Sequence, residues 1–344
     1  MEMKEQNLIR EYLGKNSSPE SYNFEEEYQK TASLSTLDRY FRYQAAQYTG
    51  SDYSKAKEFH DEVGKIPHPD GSGGRKKGTY LICDIYEALW NWNRNGKSTF
   101  AKIRFDNFQC EFGADTMNSV QTSFNKLAED IINGNQIFEK PIKDYYSSGY
   151  LLQLYRTNKE TFCALLTENF KNNGFQSYID CYHTIGNFVL VPKLFNGKRG
   201  YSLLYNGNKV NDYWDISLMY LRDRGWNGLE QDDFNKYINY FFLWDYVSEN
   251  DNSYTVKELS NTDSFFKTTV QYIKRRGIFM IAMLKIQQDF SDVYEMIQNM
   301  LLQNTVFKGY ANVIEKIKER TEEHTAYETI RSILDNAICR INKI

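Results

Sequence analysis

The sequence predicts a mainly α-helical globular protein with a small β element, and three observations carry that prediction. Apolar residues recur at three- and four-residue spacing along most of the chain. Alternation closer to period two is confined to two stretches, near 98–112 and 187–205. Only five prolines fall in 344 residues, and no long Gly/Ser- or Pro-rich linker divides them. With 41% apolar residues the chain is long enough to close around one large core.

Taken in order, residues 1–77 are polar and punctuated, with a helix expected over Leu34–Tyr48. The loop KIPHPDGSGGRKKG follows, three of whose residues 71–74 are glycine, and it is expected to be exposed and mobile. Leu81, Ile82, Ile85, Tyr86, Leu89 and Trp90 then mark one buried helix face. Phe100, Ile103, Phe105 and Phe108 alternate with polar residues as a short strand or hairpin would. Asp115 reads as the N-cap of a helix over Thr116–Ile132, and helical pattern resumes from about Tyr145 to Phe170.

The run FVLV before Pro192 reads as a second strand, with NGKRG (196–200) as its turn. Beyond Asn211 helices are expected over Asp212–Arg224, Asp233–Ser248, Thr262–Ile286, Asp292–Gln303 and Tyr310–Ile344. The chain thus divides into a polar N-terminal region (1–77), a helical core (78–290) and a C-terminal helical extension (291–344), with no internal repeat.

Charge and cysteine usage narrow the function. Forty-two basic and 45 acidic residues leave a net charge of −3, so nucleic-acid binding would need a local basic patch instead of a global field. The 27 tyrosines and 22 phenylalanines are expected to be core first and stacking surface second. Five scattered cysteines without a C-x-x-C pair argue against a disulfide scaffold or zinc knuckle and for a reducing compartment. The charged first fifteen residues lack an apolar leader segment, and Ile278–Leu284 is too short to span a bilayer, so a cytoplasmic protein without a membrane segment is expected.

Polar chemistry concentrates between Cys181 and Val247. Asn95-Gly96-Lys97-Ser98 has the ending of a phosphate-binding loop, but Asn91 stands where the first glycine belongs and a helix precedes it, so it reads as a polar turn. Cys181-Tyr182-His183 offers a thiol and an imidazole, or a buried Cys beside a structural His. In Thr184-Ile185-Gly186-Asn187 the glycine permits φ > 0 and the asparagine can fix the turn; with Asn196, Lys198 and Arg199 this makes a basic loop able to hold phosphate or carboxylate, or a turn before a hairpin. Asp212 and Asp215 open the next helix either as cap and dipole partner or as carboxylates for a divalent cation or acid/base work, and Arg222 projects from a similar face. Lys274-Arg275-Arg276 reads as a solvated face or a phosphate-facing patch.

As a block, Thr184–Phe188, Phe195–Gly200, Tyr213–Arg222 and Phe234–Asp245, together with Asp115-Thr116-Met117-Asn118-Ser119, resemble an uncharacterised bacterial domain family with a T-I-G-N-F element. The resemblance covers about half the chain and implies a fold and a site location, not a reaction. The string HTIGNFVLVP also resembles the second half of HNH-type nuclease domains, with Asn196 and Lys198 in matching order, while the preceding D-H-I-x-P half is missing.

The function expected is a bacterial binding or effector module, linked to mobile elements or phage defence, that recognises a phosphate-bearing partner such as nucleic acid or nucleotide. Thr184, Asn187, Asn196, Lys198, Arg199 and Arg222 would be its ligand contacts. The alternatives are a metal-dependent phosphodiester hydrolase with His183 as base and Asp212 or Asp215 holding a divalent metal, and a helical scaffold that binds protein partners through aromatic faces.

Overall fold

The computed structural model describes residues 2–15, 17–24, 81–92, 100–103, 108–118, 174–260 and 264–344. The helices expected over 34–48 and 145–170, the glycine-rich loop at 65–78 and the Asn95–Ser98 turn lie outside the described residues. Those described form ten α-helices and three small antiparallel sheets, the mainly α architecture with a minor β element.

A 25-residue helix organises the molecule. It is numbered α7 here (Phe265–Asp289) and is about 37 Å long at 1.5 Å per residue. From Arg276 to Leu284 every residue is buried, so no amphipathic stripe survives there and the helix can only be central. Against it pack α1 (Glu2–Lys15), α2 (Leu81–Trp90), α3 (Phe175–Tyr182), α8 (Ser291–Leu301) and α10 (Tyr327–Ile341). α9 (Gly309–Thr321) leans on α10 and on the turn Trp244–Tyr246.

The main sheet holds β1 (Phe100–Lys102), β2 (Glu111–Thr116) and β3 (Phe188–Pro192) in that order. Phe100 faces Gly113, Phe112 faces Pro192 and Thr116 faces Phe188. Every residue of β3 is buried, which is why FVLV is uniformly apolar instead of alternating. Between β3 and the core helices, Tyr237 donates its hydroxyl to Leu190 O at 2.9 Å. The C-terminus of α2 is closed by side chains of α8, where Tyr294 Oη and Gln298 Nε2 both donate to Leu89 O at 2.7 and 2.8 Å.

Several expected elements differ. Asp115 is a strand residue in β2, not a helix cap; its partner lies far along the chain. NGKRG is not a turn but the body of α4 (Phe195–Tyr201), and the turn falls later, in a hairpin of β4 (Leu204–Tyr205) and β5 (Asn208–Lys209). Asn206 and Gly207 take φ of +49° and +82° there, the left-handed pair that a two-residue hairpin turn requires. The helix expected to run to Ser248 stops early: α6 spans Phe234–Tyr240 and Phe242 adopts φ +59°. A hairpin of β6 (Val247–Asn250) and β7 (Ser253–Val256) follows. The last expected helix is two, α9 and α10, because His324 Nδ1 accepts the Ala326 amide at 3.1 Å and the chain turns.

Candidate functional site

The T-I-G-N turn is a joint in the core. Residues Ile185–Asn187 form a single 3₁₀ turn on α7. Gly186 does not need a positive φ, as the sequence had suggested; it is required by contact, since a Cβ there would lie 1.9 Å from Ile273 O and 2.8 Å from Gly277 N. Thr184 Oγ1 donates to Cys181 O at 2.7 Å, and Asn187 Nδ2 donates to Tyr182 O at 2.8 Å. Both residues are buried, so their side chains hold the turn to the end of α3.

From the far side, Arg276 locks the same turn. Its guanidinium donates to Gly186 O (2.8 Å), Phe188 O (2.6 Å) and Phe241 O (2.9 Å), and it is fully buried. Burial pushes its pKa below the usual arginine range. The Lys274–Arg276 run is therefore no uniform solvated face: Lys274 is exposed, Arg275 reaches Asp245 at 3.6 Å, and Arg276 faces inward.

A second buried centre forms around Arg199, 1% exposed on α4. Nη2 donates to Asp115 Oδ2 and Thr116 O, each at 2.7 Å, and Nη1 donates to Met117 O at 2.9 Å. Nε lies 3.3 Å from Asp212 Oδ1. Burial opposes the charge, but the carboxylates of Asp115 and Asp212 overcome it and hold the guanidinium pKa above its ordinary value. Asn118 Oδ1 accepts the Trp214 amide at 3.0 Å, tying the end of this loop to the start of α5 (Trp214–Arg224).

The two aspartates expected to act together are used separately. Asp212 sits before α5 at φ +58°, outside capping position, with Tyr213 as the N-cap. Asp215, in the first turn of α5 and buried, accepts the amides of Leu259 and Ser260 on Oδ2 at 2.7 and 2.8 Å. It fastens the segment after β7 to α5. Among the described residues no group of three or more His, Cys, Asp or Glu could hold a metal ion.

His183 caps α3 and is half-buried, its ring against Tyr182 and Phe188 at 4.4 and 6.4 Å between centroids. Cys181 lies inside the core and donates to Tyr178 O; burial pushes its thiol up to about 12, which keeps it protonated and not nucleophilic.

Three of the expected ligand residues reach the surface, on α4 and α5, which meet each other and the β4–β5 hairpin where Phe195 and Tyr205 lie 6.0 and 6.4 Å from Tyr220. Asn196 is half-buried and Lys198 exposed on α4; Arg222 is half-buried on α5. Around them lie residues that the motif reading did not single out. Lys209 and Arg224 are exposed, and Tyr205, Tyr220 and Trp226 are half-buried in a continuous ribbon. Tyr205 and Tyr220 are 6.4 Å apart and Tyr220 and Trp226 5.9 Å, with ring planes inclined at 67° and 61°.

Each part of this ribbon is anchored. Tyr205 Oη donates to Asp223 Oδ2 at 2.5 Å, and Arg222 Nε donates to Asp223 Oδ1 at 2.6 Å. The Arg222 hydrogen bond is the main reason the Asp223 carboxyl is held below its usual range. Arg224 lies over the Tyr220 ring at 5.8 Å. Trp226 Nε1 and Asn227 Nδ2 both donate to Lys193 O at 3.1 Å, and Phe195 packs beneath Trp226 at 5.4 Å. Leu194, next to α4, and Leu204, in β4, are each 54% exposed. The Asn206-Gly207 dipeptide was the sequence signal that could have located the hairpin.

Comparison with protein-family models, with curated proteins and with solved structures returns no match. Among the described residues no helix is long and apolar enough to cross a membrane.

Proposed function

We propose that this chain is a recognition module for a phosphate-bearing ligand of the nucleic-acid class, and that the face of α4, the β4–β5 hairpin and α5 is where it binds. One observation carries the reading. On those three elements the charged side chains at the surface are Lys198, Lys209, Arg222 and Arg224 against Asp223 alone, in a chain whose net charge is −3. A local cationic patch on a neutral-to-acidic molecule is what phosphate recognition needs when no global field is present.

The inner residues support the same face from behind. Arg199 and Asp115 fix α4 to β2, so Lys198 stands on a rigid element instead of a loose loop. The acidic stretch 230–233 packs against α5; Asp233 is paired with Lys236 at 2.9 Å, and Glu230 and Asp232 are exposed at the edge of this face.

Fluorescence anisotropy with labelled oligonucleotides across a salt series tests this. Binding should weaken with salt, and Lys198→Ala/Arg224→Ala should flatten the slope of log K against log[salt] by about 1.4 to 1.8, as expected for two lost phosphate contacts. A slope identical to the parent's would remove this face from the reading. Metal-dependent shortening of the oligonucleotide that His183→Ala abolishes would replace recognition by hydrolysis.

A further inference from the structure

We infer that the nucleic acid this face takes is single-stranded, and that Tyr205, Tyr220 and Trp226 are its base-stacking ribbon. The inference rests on the reading above and narrows it to one substrate class.

Three features carry it. First, the aromatics are interleaved with the cations: Arg222 and Tyr205 share Asp223, and Arg224 lies on Tyr220 at 5.8 Å. Phosphate contacts and ring contacts would therefore be made by the same short length of strand. Second, Tyr205, Tyr220 and Trp226 meet at 67° and 61°, so none lies flat upon its neighbour as a sealed stack would. Rings left half-buried at a surface are usable by bases whose own faces are open, as in a single strand; in a duplex those faces are already covered by neighbouring base pairs. Third, the β4–β5 hairpin on this face has two residues per strand, too little to fill a major groove about 12 Å wide.

The chain supplies its own reporter. Of its five tryptophans, Trp90, Trp92, Trp214 and Trp244 are buried, and only Trp226 is half-buried. A base stacking on this ribbon must change the emission of Trp226 and leave the other four unchanged.

The test titrates the full chain with dT12, with rU12 and with a dA12·dT12 duplex, reading anisotropy and tryptophan emission together. Single strands should bind at least about ten-fold more tightly than the duplex and quench the emission, and the quench should vanish in Trp226→Phe. Tyr205→Ala, on the exposed hairpin, should weaken dT12 binding by about ten-fold, the scale of one lost base–aromatic stack. Because Trp226 also packs on Phe195, Tyr205→Ala keeps the test decisive if a Trp226 truncation fails to fold. Duplex binding as tight as single-strand binding, or single-strand binding without a Trp226 signal, would overturn the stacking inference while leaving phosphate recognition standing. Absence of salt-sensitive binding to any of the three would overturn both.

Discussion

Arg199 Nη2 and Asp115 Oδ2 meet at 2.7 Å across 84 residues of sequence, with both side chains almost fully enclosed. Asp212 flanks the same guanidinium at 3.3 Å but is 22% exposed. An enclosed pair of this kind is destabilising to break because the surviving charge stays buried. Arg199→Ala should lower the unfolding free energy by about 3–5 kcal/mol, and Asp115→Ala by somewhat less, since Asp212 still offsets the guanidinium. Asp212→Ala should cost least because water reaches it. Urea unfolding of the three variants checks the order; Arg199→Ala matching the parent would show that the cluster contributes nothing to the fold.

Gly186 gives a sharper steric prediction. The atoms a Cβ would meet are backbone atoms of Ile273 and Gly277 in the middle of α7, and neither can swing aside as a side chain would. Gly186→Ala should therefore destabilise by about 3 kcal/mol or more, at the upper end of overpacking changes. Gly197→Ala is the control, because its added Cβ meets nothing within 4 Å and it sits exposed in α4; it should leave the melting temperature unchanged or raise it slightly. Equal melting temperatures for both variants would contradict the close approach of turn and helix.

How far the sequence could be read follows the range of the interaction concerned. The α2 face, with Ile85 and Leu89 one turn apart, is visible locally because one element determines it. FVLV is a strand for the same reason. What stayed hidden depends on partners far away in sequence. Asp115 looks like a cap until Arg199 is placed beside it, and Arg276 looks like part of a basic surface run until the carbonyls of Gly186, Phe188 and Phe241 surround it. The helix expected through Ser248 fails at Phe242 because Trp244 Nε1 turns back to Asn239 Oδ1 at 2.9 Å, a preference that helical periodicity does not encode. The site divided in the same way: Lys198 and Arg222 were legible as cations, whereas the Tyr205–Tyr220–Trp226 ribbon exists only once the hairpin lies against α5.

Cys110 and Cys181 should be inert in the folded chain. Burial pushes both Cys110 and Cys181 up to about 12, so at pH 8 only about one in ten thousand molecules would carry either thiolate. Cys339 is exposed. Brief iodoacetamide treatment at pH 8 with peptide mapping by mass spectrometry should modify Cys339 in the native protein, and Cys110 and Cys181 only after unfolding in guanidinium. Rapid native modification of Cys181 would instead reopen the thiol and imidazole pair with His183.

Asp245 gives the chain a pH dependence of unusual sign. Its side chain is 16% exposed, and burial raises its carboxyl from 3.8 to about 6, with Arg275 at 3.6 Å and Lys257 only partly opposing the rise. A carboxyl whose folded pKa lies above its unfolded value binds its proton more tightly when folded. It therefore contributes stability that is present at low pH and lost as pH climbs from about 4 through 6. A shift of about two units corresponds to roughly 3 kcal/mol. Asp223, Asp292 and Asp335, whose carboxyls are held below their usual range, act in the opposite direction, with stability lost as pH falls. The difference between parent and Asp245→Asn isolates the buried group, because these three surface carboxylates are common to both chains. Denaturant unfolding at pH 4.5 and pH 7 should show Asp245→Asn gaining stability over the parent at pH 7 and little at pH 4.5. A variant that loses stability at pH 7 would mean that the ion pair with Arg275 outweighs the burial of the charge, and that Asp245 is ionised in the folded chain well below pH 6.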